Sequence, residues 1–497
     1  MNFSKIFRKG QPPYLLKLRS SKAVIVSTVG LAVFTDVFLY GIIVPVLPYA
    51  ISTRAGIPLD NRQHWISALL ACYGAALFAT SPICGMVADH TSSRQAPFLV
   101  GLLAIAGSTV MLCVGNSIAI LVIGRILQGA SASFVWVIGL ALLVDTVEQN
   151  EIGQMMGYVS ACMSVGILIA PLLGGVVYAK AGYIQTFAMA FAVIGLDILL
   201  RLFLIEKKIA KRWEVVSEAQ SAADCVTSTP QTLTLQAENE PRSGIKKLLP
   251  SRVPPILTLL TSPRLIVALW GSFVQATLMT AFDSVVPLFA QSTFGFSSIG
   301  SSLLFLAITI TSFLAPISGF LSDRYGPRLL TAASFALCTP FLVLLRLVDH
   351  DSVRQIVLLC ALLALIGAAL ALGFSPIMAE INASVEERER ERPGANGMKG
   401  AIAQAYALYN MAFALGTMIG PIWAGYVRDS AGWGTMSWSL GLLSGVTTVP
   451  VLLYTGGTLW KVKKVEQQEP IIEPEMDHAE GPRDEVNPTE GKVEANV

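Results

Sequence analysis

The sequence predicts an all-α multispanning membrane protein, with twelve transmembrane helices arranged as two six-helix bundles. Three observations predict it. Hydrophobic residues make up 53% of the 497 and charged residues only 14%, with a mean hydropathy of +0.62; soluble domains carry about a quarter charged residues. Apolar runs long enough to cross a bilayer, which takes about 20 helical residues, fall at 23–50, 65–88, 96–114, 117–144, 155–179, 185–205, 264–290, 297–321, 329–348, 355–379, 402–427 and 434–460. Two residue patterns recur at matching places in the first six and the last six runs.

Taken in order, residues 1–22 form a basic tail, with Lys5, Arg8, Lys9, Lys17, Arg19 and Lys22 and no acid. The positive-inside rule places this tail in the cytoplasm. The first run is too long for a cleaved signal and reads as a signal anchor. Residues 23–205 make the first bundle, 206–262 a polar central loop, 263–460 the second bundle and 461–497 an acidic, unstructured tail. An even number of crossings returns the C-terminus to the cytoplasm, where Lys461, Lys463 and Lys464 close the last run. The longer charged connections, 206–262 and 380–400, fall on that side too, and Glu380 beside the EERERER run is expected to be solvated. The glycosylation-like sequons at Asn2 and Asn382 also fall there and are discounted.

The residue types leave little room for metal, redox or hydrolytic chemistry. Cys72, Cys84, Cys113, Cys162, Cys338 and Cys360 lie in apolar runs, and Cys225 lies in the central loop without CxxC or His spacing. His64, His90, His350 and His478 fall outside the runs. No nucleophile has a neighbouring base, so an enzyme is not expected, nor a cofactor, metal or nucleic-acid partner.

Ionisable residues inside the runs are the informative ones. Asp36 sits near the middle of run 1, where a charge costs roughly 2.5–3.5 kcal/mol on insertion scales. Tyr40 lies one turn on, and Pro45 and Pro48 suit a segment that bends. Asp36 is either a packing carboxylate paired once with a neighbour or a site for a proton, cation or substrate. Arg125 in run 4 and Asp283 in run 7 raise the same question. Asp197 and Arg201 in run 6 stand four residues apart and are expected to neutralise each other.

The internal repeat has two parts. Gly85-MVA-Asp89-HTSS-Arg94 follows run 2, and Gly319-FLS-Asp323-RYGP-Arg328 follows run 8. Run 5 carries Gly166-ILIA-Pro171-LLG-Gly175, and run 11 carries Gly416-TMIG-Pro421-IWA-Gly425. Small residues at such spacing let membrane helices pack closely. Duplicated six-helix bundles place a substrate site at mid-membrane between the halves.

Together these residues resemble the major facilitator superfamily over about residues 23–460. More narrowly, the chain is similar to its twelve-span drug:proton antiporters, among them fungal efflux pumps and vesicular amine transporters. The resemblance implies a cytoplasmic gate at Gly85, Asp89, Arg94, Gly319, Asp323 and Arg328; the alternative is a plain charged turn. Arg125-IL-Gln128-Gly129 is similar to the family's R-x-x-Q-G, which implies a proton-coupling role for Arg125, unless that arginine snorkels to the surface. The bent, glycine-rich stretch with Gly166, Pro171, Gly174 and Gly175 resembles the antiporter motif. Asp36 and Asp283 match acidic positions of the amine transporters. Tyr73, Ala371 and Asn410 stand where those transporters have a lysine and two aspartates, which sets the chain closer to the fungal exporters.

The resemblance therefore implies a monomeric, proton-driven exporter of a small organic compound: a secondary metabolite, toxin or drug. Its partners would be that substrate, protons and the lipid bilayer. The plasma membrane is the expected location, with vacuolar or vesicular membranes as alternatives. Asp36, Arg125 and Asp283 are the candidates for proton coupling. Tyr40, Tyr73, Trp136, Gln275, Phe282, Gln404, Tyr406 and Asn410 are candidates for the substrate cavity, since ligand pockets pair apolar walls with few polar anchors. A nutrient importer of the same fold and a non-transporting sensor remain as other readings.

Overall fold

Lipid offers no hydrogen-bond partners to the backbone, so a chain this apolar folds into helices that satisfy their own amides. The computed structural model describes residues 15–91, 94–147, 152–205, 262–391 and 398–456, with a few positions between 207 and 260. The sequence-expected tails and central loop lie largely outside the described residues, as do the side chains of Asp89, Asp323, Gln404 and Tyr406.

The described regular elements are all helical. Span 1 runs Lys22–Ile43 and resumes as Leu47–Ala55 after a break ahead of Pro48. Spans 2 and 3 are Arg62–His90 and Gln95–Val114. Span 4 is Ile118–Ser133, a π-helical turn at Phe134–Gly139, and Leu140–Thr146. Spans 5, 6 and 7 are Ile152–Ala181, Tyr183–Phe203 and Pro263–Phe294. Span 8 is broken, Ser298–Thr309 and Ala315–Tyr325 flanking a 3-10 turn at Ile310–Leu314. Spans 9 and 10 are Pro327–Leu344 and Val353–Glu391. Spans 11 and 12 follow within Met398–Tyr454, parted at Gly432, whose φ of 85° no helix accommodates.

Ten of these helices are individually long and apolar enough to cross a membrane. The tenth contains both span 11 and span 12, and span 8 crosses in two pieces, so the twelve expected crossings are accounted for. Large side chains such as Leu103, Leu199 and Phe320 stand exposed on the outside, as lipid-facing residues do. One continuous apolar core runs through both halves, from Phe38 and Leu39 in span 1 to Phe282, Val285 and Leu440.

Hydrogen bonds define two ends of the bundle. At one, the proximal end, Arg19 donates to the Phe203 carbonyl at 2.6 Å and Gln95 to the Leu204 carbonyl at 3.0 Å. At the other, the distal end, Arg54 donates to the Cys113 carbonyl at 2.9 Å and Trp433 to the Leu345 carbonyl at 3.0 Å. Hydrogen bonds between the halves concentrate toward the distal end. Tyr49 of span 1 reaches the Phe296 carbonyl at 2.8 Å, Ser67 of span 2 meets Ser284 of span 7 at 2.8 Å, and Arg428 of span 11 donates to Gln63 at 2.6 Å.

Candidate functional site

The ionisable residues inside the spans converge at mid-depth. Asp36 on span 1 is buried, and its Oδ2 accepts from Trp136 Nε1 at 3.0 Å and from the Tyr73 hydroxyl at 3.4 Å. Trp136 lies in the π-helical turn of span 4; such turns often mark functional sites in helices. The Tyr73 ring packs 4.9 Å from that of Tyr40, centroid to centroid. Tyr40 in turn donates to Asp283 Oδ2 at 3.0 Å, which carries the string from span 1 to span 7. The Arg125 guanidinium stands over the Tyr40 ring at 5.5 Å. Two carboxylates from opposite halves are thus linked through a pair of phenols.

Arg125 is 0% exposed, so it does not snorkel. Its Nη1 donates to Gln128 Oε1 at 2.9 Å, while Nε and Nη2 have no protein acceptor. Gln128 Nε2 and Asp36 Oδ1 are likewise unpartnered. Leaving such groups unpaired in the interior costs about 1–3 kcal/mol each, and cost of this kind is tolerated at sites that act. The wall beside the string is apolar: Tyr73, Leu77, Ala132 and Ala414 form a small buried cluster with Tyr40 and Trp136 against it.

Other expected site residues fall elsewhere. Asn410 donates to Ser81 at 3.0 Å, close to the same interface. Gln275 turns to the Leu370 carbonyl at 3.0 Å within the second half, and Phe282 is packed in the apolar core. In the gate sequences, Arg94 pairs with Asp145 at 3.3 Å, tying the span 2–3 connection to the end of span 4, and Arg328 donates to the Thr455 carbonyl at 2.5 Å. Gly85 and Gly319 sit in helices with room for a β-carbon. In the span 5 motif, a β-carbon at Gly174 would lie 2.4 Å from the Ile42 carbonyl, and one at Gly175 would lie 1.7 Å from Ser302 Oγ. Pro171 packs beside Gly41. This stripe therefore seats span 5 against span 1 and, across the halves, against span 8.

Two residue pairs complete the electrostatics. Asp197 and Arg201 form a buried two-pronged pair at 2.9 and 2.8 Å, with the guanidinium 3.8 Å from the Phe98 ring centroid. They neutralise each other, as expected. Glu380 corrects the expectation of a solvated carboxylate: it is 1% exposed, ion-paired with Arg264, and accepts from the Gly456 amide at 2.8 Å. Span 7 brings Arg264 to it from far away in the sequence, which is why the neighbouring acidic run misleads. Sequence reasoning also passed over Gln63, Ser67, Ser284 and Arg428, which join spans 2, 7 and 11. No group of His, Cys, Asp and Glu suited to a metal ion occurs among the described residues.

Two repeated helical halves around a buried, ionisable plane define the architecture of a membrane transporter. A sequence profile of the Major Facilitator Superfamily matches residues 29–398. The chain is 36% identical over 415 residues to an uncharacterized MFS-type transporter of Schizosaccharomyces pombe, C18.02, across 83% of this chain and 91% of that one. It is 34% identical over 473 residues to the MFS-type transporter ppzB of Metarhizium rileyi, across 89% and 97%. Among solved structures, the human organic anion transporter MFSD10 (TETRAN) shares the fold, with a TM-score of 0.59 at 18% identity, over 89% of this chain and 100% of that one. The chain belongs to the Major Facilitator Superfamily. It is a multi-pass membrane transporter and not an enzyme.

Proposed function

We propose that the protein is a proton-coupled antiporter that exports a small, largely apolar organic compound by alternating access of its two halves. The observation that carries this reading is the string Trp136–Asp36–Tyr73 and Tyr40–Asp283, which crosses from one half to the other beside Arg125. Ionised, Asp36 only accepts hydrogen bonds; protonated, it carries a donor of its own. A proton on Oδ2 weakens its acceptance from Trp136 and Tyr73. One on the unpartnered Oδ1 adds a donor that needs an acceptor, so either changes the balance of contacts around Asp36. Asp283 is tied to the other half by the hydrogen bond it accepts from Tyr40. A proton arriving at either carboxylate changes the free energy of one arrangement of the halves relative to another, which is what coupling requires.

The basic residues Lys17, Arg19 and Lys22 at the proximal end support a cytoplasmic location for that end and for both termini. The distal end, joined by Tyr49, Gln63 and Arg428, is then the outer gate in its closed state. The glycine-proline stripe of span 5, which resembles the antiporter motif, supports antiport; outward cargo movement by a monomeric unit in the plasma membrane belongs to the same proposal.

The test is transport of a panel of fluorescent lipophilic compounds into proteoliposomes across an imposed pH difference. Accumulation of at least one compound should require the gradient and vanish when an ionophore collapses it. Transport at the same rate with and without the gradient contradicts proton coupling.

A further inference from the structure

Among the fully buried polar atoms of the central string and its neighbours a few lack partners, and that excess is lopsided. Arg125 Nε, Arg125 Nη2 and Gln128 Nε2 are donors without a protein acceptor, against one unpartnered acceptor, Asp36 Oδ1. Arg125 and Gln128 are 0% and 1% exposed, and buried polar side chains nearly always find partners. The orientation of the Gln128 amide is fixed by chemistry. Arginine can only donate, so the atom facing Arg125 Nη1 at 2.9 Å is the oxygen, and the NH2 group is presented away from it.

Nearby carboxylates do not fill the gap. Asp36 Oδ2 takes Trp136 and Tyr73, and Asp283 Oδ2 takes Tyr40, whose ring lies under the guanidinium. Arg125 takes part in none of the ion pairs among the described residues. The result is a three-donor fork beside a pair of aromatic rings at the plane where the halves meet.

We propose that this fork docks an acceptor oxygen of the cargo, a carbonyl or carboxylate, and that Gln128 sets the preference for such compounds over amines. The inference rests on the transporter reading of the central interface and adds the chemistry of what is carried. The tilted Tyr40–Tyr73 pair supplies an aromatic wall for the apolar body of the compound, while Arg125 and Gln128 hold its oxygen. A cationic amine meets the same three donors with nothing to offer them, and the desolvated guanidinium repels it.

Binding of three matched fluorescent probes to the full-length protein in lipid nanodiscs tests this: 1-naphthylacetate, 1-naphthylacetamide and 2-(1-naphthyl)ethylamine. The acid and the amide should bind at least about tenfold more tightly than the amine, the scale of one charge-assisted hydrogen bond. Gln128→Glu keeps the oxygen that faces Arg125 and replaces the amide donor with an acceptor; it should weaken acid and amide about tenfold and narrow or invert the preference. Gln128→Met, which introduces no charge, should shift it in the same direction. Equal or tighter amine binding, no saturable binding of acid or amide, or an unchanged preference in both variants would overturn the proposal. Asp36→Asn separates this reading from proton coupling. The preference for acceptor-bearing probes should persist in that variant whatever becomes of its gradient-driven transport.

Discussion

The two halves are packed alike and charged differently. A β-carbon at Gly175 of span 5 would meet Ser298 and Ser302 of span 8, and one at Gly425 of span 11 would meet Gln63 and Ser67 of span 2, each a contact across the halves. Gly166 faces the Phe34 carbonyl as Gly416 faces that of Phe273; the same two steps onward lead to Asp36 in one half and Gln275 in the other. Gly129 and Gly367 each leave 2.1 Å between a β-carbon and a carbonyl oxygen of a neighbouring span. Just before them stand Arg125 and Gln128 in one case, Leu363 and Ile366 in the other. Gly182 and Gly432 turn the chain with φ of 97° and 85°. The buried pair Asp197–Arg201 that follows the first is matched after the second by Thr447 and Val451. Close backbone approach preserves the repeat where a β-carbon would collide, as at Gly129, Gly175, Gly367, Gly416 and Gly425. Charge is free to diverge, and it is concentrated in the first half, with Asp283 as its main counterpart at mid-depth in the second.

The largest expected effect comes from breaking the pair that the second half lacks. Arg201→Leu alone leaves Asp197 buried and should cost about 3–5 kcal/mol of stability, read as loss of monodisperse protein or a lower unfolding temperature. The double variant Asp197→Thr with Arg201→Val imports the second half's solution and should recover most of that loss. If the double variant is as damaged as the single one, the pair does more than neutralise itself.

Next, Gly175→Val and Gly425→Val should each disfavour the closed distal end, by about 1–3 kcal/mol for overpacking, and by similar amounts if the repeat governs packing. Thermal unfolding of the two proteins side by side checks the equality. A smaller effect should distinguish the halves at mid-depth. Tyr40→Phe removes the hydrogen bond to Asp283, worth about 1 kcal/mol, and should slow gradient-driven transport several-fold. Gln275→Leu removes a bond of similar strength inside one half and should lower stability while leaving the pH dependence of transport unchanged.

Much of this was legible in the sequence, for physical reasons. Lipid enforces long apolar runs, so the crossings and the duplicated Gly-rich patterns could be read directly. Asp36, Tyr40, Tyr73, Arg125, Trp136 and Asp283 could be singled out because polar groups are rare in such runs, and the fold brings all six together. The facing of span 7 was not legible. It is buried nearly all round, so periodicity could not tell Gln275 or Phe282 from residues that line the interface. Glu380 and the Gln63–Ser284–Arg428 contacts depend on partners far away in the chain. The π-helical turn of span 4 has no compositional mark; Phe134 fits against Gly101 only in the folded bundle.

The central claim is that protonation of Asp36 is tied to the movement of the halves. Transport by Asp36→Asn in proteoliposomes, measured both across a pH difference and as exchange of labelled for unlabelled compound without one, tests it most directly. Gradient-driven accumulation should fall to background while exchange continues. Accumulation at the wild-type rate by the folded variant would contradict the account.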